Sequence, residues 1–250
     1  MGRWSPGHGA GVSGGPAATK AAPKDRARAL RLYRALEKAW PEATCELNAA
    51  APHELLIATI LSAQSTDIAV NAATPALFAA FKTPTEFAAA DPEDIQPYIA
   101  TIGLYRNKSK AVVESMRRVV EEYDGEVPAT MEALLTLRGV ARKTANVVLG
   151  NAFGLNEGIV VDTHVMRLAW RLGLSKHEGN AAKIERDLMG LFPRPRWTML
   201  SHLLVFHGRY ACKARNCTCG EHSICKRYAV AGRCNCASSP HESTVSTSHE

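Results

Sequence analysis

Residues 134–149 (LLTLRGVARKTANVVL) carry apolar side chains at helical spacing on both sides of one glycine. The pattern predicts a short helix, a tight turn at Gly139 and a second helix that begins near Arg142. The side chains predicted to pack the two helices together are Leu134, Leu137, Val140, Ala145 and Val148. Because a helix N-terminus presents unpaired backbone N–H groups, this hairpin is a candidate site for a phosphate group.

Arg142 and Lys143 fall in the first turn of the second predicted helix, where the helix dipole disfavours positive charge. A basic pair at this position indicates either an anionic partner or a chemical role for Lys143. The same placement favours a neutral amine, and therefore a nucleophile, at Lys143. When Lys143 is considered by itself, a solvated surface lysine is the simpler interpretation.

A second candidate group is Asp162, which follows the apolar run 159–161. The pattern from Thr163 to Leu172 predicts a helix, and Asp162 is its predicted N-cap. A capping carboxylate is held in one place, so the cap does not exclude chemistry. Lys143 and Asp162 together form a candidate amine–carboxylate pair at two helix starts.

The composition sets limits on the class of protein. A chain of 250 residues with 46% hydrophobic residues can bury one large core or two smaller ones. Thirty basic residues against 24 acidic ones give a net charge of +6, which permits nucleic-acid binding without requiring it. No run of eighteen apolar residues and no secretory leader are visible, so we expect no membrane association and a cytoplasmic, nucleoid-associated location.

Helical patterns recur along the chain from residues 23–39 onward, and no alternating strand pattern is visible. The sequence therefore predicts an all-α fold. Residues 1–23 are rich in Gly, Ala and Pro, and residues 237–250 are rich in Ser and His. Both segments are predicted to be disordered tails, the first of them basic.

Four cysteines lie within fourteen residues, at Cys212, Cys217, Cys219 and Cys225. Four crowded thiolates need a cation to hold them together, and both an iron–sulfur cluster and a structural zinc fit such ligands. Reduced surface thiols do not account well for this density. Cys45 is predicted to be a packed core residue.

Two further segments leave alternatives open. Gln64 lies at the polar end of a predicted helix, where a capping or solvated role is the simplest interpretation. The segment 103–108 (GLYRNK) predicts a helix–helix connection with Leu104 in the core. Its alternative is a loop in which Lys108 faces phosphate and Leu104 enters a base stack. The segment alone favours the helix–helix connection with Leu104 in the core.

Several motifs together resemble one family. LRGVARKTANVVL at 137–149 resembles the helix-hairpin-helix of the endonuclease III family of DNA glycosylases, and VDTH at 161–164 resembles its catalytic aspartate motif. LSAQSTD, GLYRNK and HGRYAC match other family motifs in the same order. The resemblance runs from about residue 24 to 228. It implies two helical domains: a six-helix bundle at 46–155, and a discontinuous domain of 24–45 with 156–236 that carries a [4Fe–4S] loop.

The resemblance also implies a function. The implied activity is a bifunctional DNA glycosylase and AP lyase of base excision repair, which removes oxidised pyrimidines from duplex DNA. Lys143 matches the nucleophile that forms a Schiff base with the sugar, and Asp162 matches the carboxylate that assists it; β-elimination then cleaves the strand. The implied partner is double-stranded DNA with a damaged base or an abasic site, bound by a monomer.

By the same resemblance, Gln64 fills the space of the flipped nucleotide and Leu104 wedges in from the opposite side. The expected cluster ligands are Cys212, Cys217, Cys219 and Cys225. The expected DNA-contact residues are Gln64, Leu104, Lys108, Arg138, Gly139, Ala141, Arg142, Thr144 and His164.

The chain departs from the family pattern in the hairpin and in the cysteine loop. Arg138 and Ala141 replace a proline and a second glycine, so we expect the turn either to adjust or to carry strain at Ala141, and an additional cation beside the DNA at Arg138. The cysteine spacing C-x4-C-x-C-x5-C replaces C-x6-C-x2-C-x5-C. His222, Cys234 or Cys236 therefore stays open as a replacement ligand.

Two other functions share some of these sequence features. An adenine glycosylase that acts on mismatches has the same fold, but it generally lacks the lysine and carries a further C-terminal domain. A non-catalytic DNA-binding protein with a zinc-bound tail would need neither Lys143 nor Asp162.

Overall fold

The computed structural model describes residues 21–215, 217 and 220–234. Within these residues there are twelve α-helices and one 3-10 helix at Arg194–Arg196, and no strand, which confirms the all-α prediction. No helix in this part of the chain is long and apolar enough to cross a membrane. The α-helices are α1 Pro23–Ala39, α2 Pro52–Ser62, α3 Asp67–Ala80, α4 Pro84–Ala89, α5 Pro92–Ile99, α6 Tyr105–Glu122, α7 Met131–Leu135, α8 Arg142–Ala152, α9 Thr163–Arg171, α10 Ala181–Leu191, α11 Trp197–Tyr210 and α12 Ser223–Tyr228.

Residue contacts divide the chain into two compact units, and the first is Cys45–Glu157 with helices α2 to α8. Helix α2 is its centre, since its residues from Leu55 to Leu61 are all buried and it packs against α3, α6 and α8. Helix α6 also packs against α4 and α5. Proline opens α2, α4 and α5, where its missing N–H is one of the donors that a helix start leaves unpaired anyway.

The second unit consists, in the described chain, of residues 21–44 and 158–234. Its core joins Leu32 and Leu36 of α1 to apolar residues of α9, α10 and α11. Arg28 of α1 donates hydrogen bonds to the carbonyls of Leu172 and Tyr228, at 3.0 and 2.7 Å. The first helix is thereby attached to the C-terminal part of the chain, which places both ends of the described sequence in one unit.

Candidate functional site

The hairpin that joins α7 to α8 is built around Gly139, which has a φ of +80°. A side chain at this position would place its Cβ 3.2 Å from the Cβ of Ala111 and 3.4 Å from Cγ2 of Ile60. The turn is also anchored from α6, because the hydroxyl of Ser115 donates to the carbonyl of Arg138 at 2.7 Å. Both the backbone conformation and the close packing therefore require glycine.

Of the two alternatives for Ala141, an adjusted turn and a strained one, the structure has the adjusted turn. Ala141 is the N-cap of α8 and has a φ of −97° and a ψ of 171°, an extended conformation that any residue adopts. Since no side chain caps α8, the N–H groups of its first turn have no partner from a capping side chain. The hairpin thus keeps the donors that a phosphate group needs.

The basic residues of the hairpin have different surroundings. Arg138 forms an ion pair with Glu114 of α6, and both side chains are about half exposed. Arg142 is partly buried and donates to the carbonyl of Glu157 at 3.1 Å. Lys143 is exposed in the first turn of α8, and Thr144 beside it is partly buried. Among these residues, Lys143 presents the accessible amine.

In the second unit, Asp162 is the N-cap of α9, as the sequence predicts. Its Oδ1 accepts a 2.8 Å hydrogen bond from the N–H of Val165, and the residue stays partly exposed. The extended segment before it is held by two buried polar side chains. Ser201 Oγ accepts from Val160 N at 3.0 Å, and Glu185 Oε1 accepts from Ile159 N at 3.3 Å. The carboxylate is therefore fixed by its own cap and by the segment that leads to it.

His164 follows Asp162 in the first turn of α9. Its Nδ1 lies 3.2 Å from a guanidinium nitrogen of Arg167, which also donates to the carbonyl of Gly208 at 2.8 Å. A Cβ on Gly208 would lie 3.0 Å from the Cβ of His164, so α11 approaches α9 closely at this glycine. The structure therefore holds His164 by packing on one side and by Arg167 on the other.

Gln64 and Leu104 share a backbone conformation that is rare outside glycine. Their φ values are +54° and +61°, in the left-handed region. Gln64 is exposed in the loop after α2, and Leu104, just before α6, is 56% exposed. The interpretation of Leu104 as a core residue is wrong, because the loop conformation turns its side chain to solvent.

Lys108 does not have the surroundings expected of a phosphate contact. Only 6% of the residue is exposed, and its ammonium donates to the carbonyl of Leu61 and to the hydroxyl of Ser65, both at 2.9 Å. An ammonium bonded inside the unit cannot reach a phosphate on the surface. The prediction of Lys108 as a direct DNA contact is therefore corrected.

Two of the four predicted cluster cysteines, Cys212 and Cys225, are buried next to each other. A hydrogen bond with Cys225, together with Arg171, lowers the pKa of Cys212 to about 6. Arg171 donates to Sγ of Cys212 at 3.2 Å, and Nε2 of His207 lies 3.1 Å from Sγ of Cys225. Cationic and N–H donors around paired thiols are what an anionic thiolate-bound cluster requires, so these residues fit a metal cluster.

The remaining cysteines near this pair differ in their surroundings. Cys217 is partly buried and packs against the same core, as does Cys234, whereas Cys219 lies outside the described residues. No three His, Cys, Asp or Glu side chains in the described part of the chain form a ready metal site. His222 caps α12 through Nδ1, which accepts from the N–H of Ile224 at 3.3 Å, and it stacks on Trp40.

Sequence reasoning missed the buried polar residues that hold the site in place. Ser115, Ser201 and Glu185 each occupy a buried position on a helix and bond a backbone group at the predicted site. Each is a polar residue among the buried, mostly apolar positions of its helix, and that is the signal the sequence offers. The partner of such a residue is known only once the helices are packed.

Comparison with known proteins agrees with this arrangement. The profile of the HhH-GPD superfamily of base excision DNA repair proteins matches residues 57–194. Endonuclease III of Synechocystis is 51% identical over 194 residues, which covers 78% of this chain and 88% of that protein. Endonuclease III of Escherichia coli K12 is 41% identical over 197 residues, which covers 79% of this chain and 92% of that protein.

Solved structures give the same result. A trapped covalent intermediate of an endonuclease III with DNA is similar with a TM-score of 0.77 and 38% identity, covering 82% of this chain and 95% of that one. A non-covalent endonuclease III–DNA complex is similar with a TM-score of 0.76 and 39% identity, covering 80% of this chain and 92% of that one. The chain therefore belongs to the HhH-GPD superfamily of base excision DNA repair proteins and, within it, to the endonuclease III family of DNA glycosylases with AP lyase activity.

Proposed function

We propose that this enzyme removes oxidised pyrimidines from duplex DNA through a covalent intermediate on Lys143. The observation that carries the proposal is the exposed amine of Lys143 in the uncapped first turn of α8, on a hairpin fixed by Gly139. A trapped covalent complex of a similar endonuclease III with DNA supports a nucleophilic mechanism.

In the first step, Nζ of Lys143 forms a bond to C1′ of the deoxyribose while the bond from C1′ to the base breaks. The base leaves with the electron pair and takes up a proton. Asp162 assists by accepting a proton from the amine and by stabilising the positive charge that develops on the sugar. Its Oδ1 is engaged by the N–H of Val165, so the group is already oriented when the substrate arrives.

The sugar ring then opens and the amine and C1′ form a Schiff base. Loss of a proton from C2′ lets the bond from C3′ to its oxygen break, which cleaves the strand on the 3′ side of the lesion. Water hydrolyses the Schiff base and regenerates Lys143. The same lysine therefore serves both the glycosylase and the lyase step.

Recognition requires the damaged nucleotide to leave the base stack. We propose that Gln64 occupies the space that it leaves and that Leu104 wedges in from the opposite side, since both are exposed on loops with a constrained backbone. The N–H groups at Gly139 and at the start of α8 bind phosphate and read no sequence, as a lesion search requires. Ala141, Arg142, Thr144 and His164 are the proposed contacts beside them.

We propose that the two compact units act as the two domains of the enzyme, a helical bundle with the hairpin and a cluster-bearing domain, working as a monomer. The proposed cofactor is a [4Fe–4S] cluster on Cys212, Cys217, Cys219 and Cys225. When bound, it cross-links the chain after α11 and stabilises a basic segment beside the DNA. Arg171 and His207 would donate to its sulfur ligands.

A panel of duplexes tests the proposal, with thymine glycol, an abasic site or a mismatched adenine at one position. Base release and strand scission are scored separately, and complexes are trapped with borohydride. We expect release and scission on thymine glycol, trapping that Lys143→Ala abolishes, and no activity on the mismatch. The matched control is Lys110→Ala, an exposed lysine of α6. Persistent trapping in Lys143→Ala would remove this residue from the nucleophile role.

A further inference from the structure

Lys108 contacts both of the loops that carry the proposed wedge residues. Its ammonium donates two hydrogen bonds of 2.9 Å, to the carbonyl of Leu61 and to the hydroxyl of Ser65, on either side of Gln64. Lys108 itself lies in the first turn of α6, where its backbone N–H makes the ordinary helical hydrogen bond to the carbonyl of Leu104 at 3.0 Å. One buried residue therefore joins the end of α2 to the start of α6.

The position of this ammonium has a physical basis. Leu61 lies in the last turn of α2, where the carbonyl groups have no helical partner and the helix dipole favours a cation. Burial lowers the pKa of Lys108, and a buried ammonium needs acceptors to offset its lost hydration. The helix end and Ser65 supply them, so the lysine and the Gln64 loop stabilise each other.

The two loops also need a restraint. Gln64, Leu104 and Asp124 are the non-glycine residues with positive φ in the described chain. Such a conformation persists only where surrounding contacts hold it. A Cβ on Gly103, next to Leu104, would lie 4.0 Å from Oγ of Ser65, so the two loops adjoin. The side chain of Lys108 reaches from α6, the helix that follows Leu104, to acceptors on both sides of Gln64.

We propose that Lys108 is a positioning residue that ties the Gln64 loop to the Leu104 loop, so that both side chains enter the base stack together. The proposal rests on the proposed roles of Gln64 and Leu104. Lys108 touches no DNA in this arrangement. Two wedge residues on separate loops act on one nucleotide only if their separation is fixed, because errors of about 1 Å in placement can cost roughly a hundredfold in rate.

The test compares Lys108→Met with Lys110→Met, which removes the same charge from an exposed site on the same helix. Base extrusion is followed by the fluorescence of 2-aminopurine beside the lesion, and excision is measured in single turnovers. We expect Lys108→Met to reduce the fluorescence change and to slow excision from duplex DNA by roughly tenfold to a hundredfold. Cleavage at an abasic site in a single strand needs no extrusion and should stay unchanged.

Salt dependence separates this role from a phosphate contact. A lost phosphate contact lowers the slope of log Kd against log salt concentration by about 0.9. A positioning residue leaves that slope unchanged. If Lys108→Met lowered the slope and slowed single-stranded and duplex cleavage alike, Lys108 would be a DNA contact and the proposal would be overturned.

A double-variant background separates positioning from general stability. In Gln64→Ala/Leu104→Ala, Lys108→Met should cause no further loss of excision, whereas a merely structural role would add its own loss. Ser65→Ala removes one acceptor and should give a smaller defect of the same kind if Lys108→Met does not fold. Inactive wild-type enzyme would overturn the proposed function. A fully active Gln64→Ala/Leu104→Ala enzyme would overturn the wedge roles on which this inference rests. Active wild type with normal Lys108→Met and Ser65→Ala would overturn only the positioning role of Lys108.

Discussion

Arg138 and Glu114 form an ion pair between the hairpin turn and α6. The hydrogen bond from Arg138 holds the pKa of Glu114 below its usual range, so the carboxylate is charged at neutral pH. The arginine that replaces the family proline therefore adds a cation whose charge is compensated by a neighbour. Its effect on DNA affinity is expected to be small while Glu114 is present.

Glu114→Gln should release Arg138 and increase DNA affinity at low salt. If the freed guanidinium gains one phosphate contact, the slope of log Kd against log salt concentration becomes steeper by about 0.9. Arg138→Gln in the wild-type background should leave the slope unchanged. A loss of slope in that variant would instead mean that Arg138 already binds phosphate. Glu121→Gln, another exposed carboxylate of α6, serves as the charge control.

Asp162→Asn should preserve the fold and DNA binding but lower turnover by roughly a hundredfold to ten-thousandfold. Asparagine caps helices about as well as aspartate, so the melting temperature should stay near the wild-type value. The control is Asn180→Ala, which removes the cap of α10. That variant should lose about 1 kcal/mol of stability with normal turnover. Full activity of Asp162→Asn would reduce this residue to a cap.

Gly139→Ala and Gly154→Ala separate backbone strain from close packing. Their φ values are +80° and +67°, but a Cβ meets Ala111 and Ile60 only at position 139, with nothing within 4 Å at position 154. Gly154→Ala should lower the free energy of unfolding, measured by denaturant titration, by about 1 kcal/mol, because it adds only backbone strain. Gly139→Ala should cost more and weaken DNA binding. Equal costs would show that the hairpin can adjust around the added methyl group.

Ala141→Gly restores the family residue and tests the conformation of the turn. Because Ala141 has an extended backbone with a φ of −97°, glycine relieves no strain there. At the N-cap of α8, glycine is preferred over alanine by roughly 0.5–1 kcal/mol, and the greater freedom of the unfolded chain opposes this gain by a similar amount. The free energy of unfolding should therefore change by less than about 1 kcal/mol, and a larger rise would contradict the described backbone.

The cluster proposal predicts a brown protein with about four irons per chain. Cys212→Ser should lower the iron content and the stability of the second unit, since the ligand sulfur is lost. Cys45→Ser is the matched control, because Cys45 is partly buried in the first unit and outside the ligand set. A colourless protein with one zinc would show that the shortened loop holds a different metal.

Local sequence patterns were enough for the elements that depend on neighbouring residues. Helix α1 begins at Pro23 and ends at Ala39 as its pattern predicts, and Asp162 caps α9. Gly139 adopts the left-handed conformation that a tight turn demands. Each of these features follows from hydrogen bonds and backbone preferences within a few residues.

Predictions that depended on distant neighbours were the ones that needed correction. The sequence around Lys108 indicates a surface cation at a basic helix start. In the structure its ammonium is buried, because it binds the Leu61 carbonyl and the Ser65 hydroxyl, which lie more than forty positions earlier in the chain. Leu104 looks like a core residue, but its backbone conformation exposes it. Arg138 looks like a free cation until Glu114 is placed beside it.

The helical fold, the family, and Lys143 and Asp162 as candidate catalytic groups could all be predicted from the order of the residues. These features rest on local patterns and on motifs whose order can be read along the chain. The buried polar groups that hold the site could be identified only from the packed helices, because a hydrogen bond such as that from Ser115 to the Arg138 carbonyl joins residues that helix packing brings together. The same holds for Lys108, because its role depends on the carbonyl and the hydroxyl that helix packing brings within reach of its ammonium.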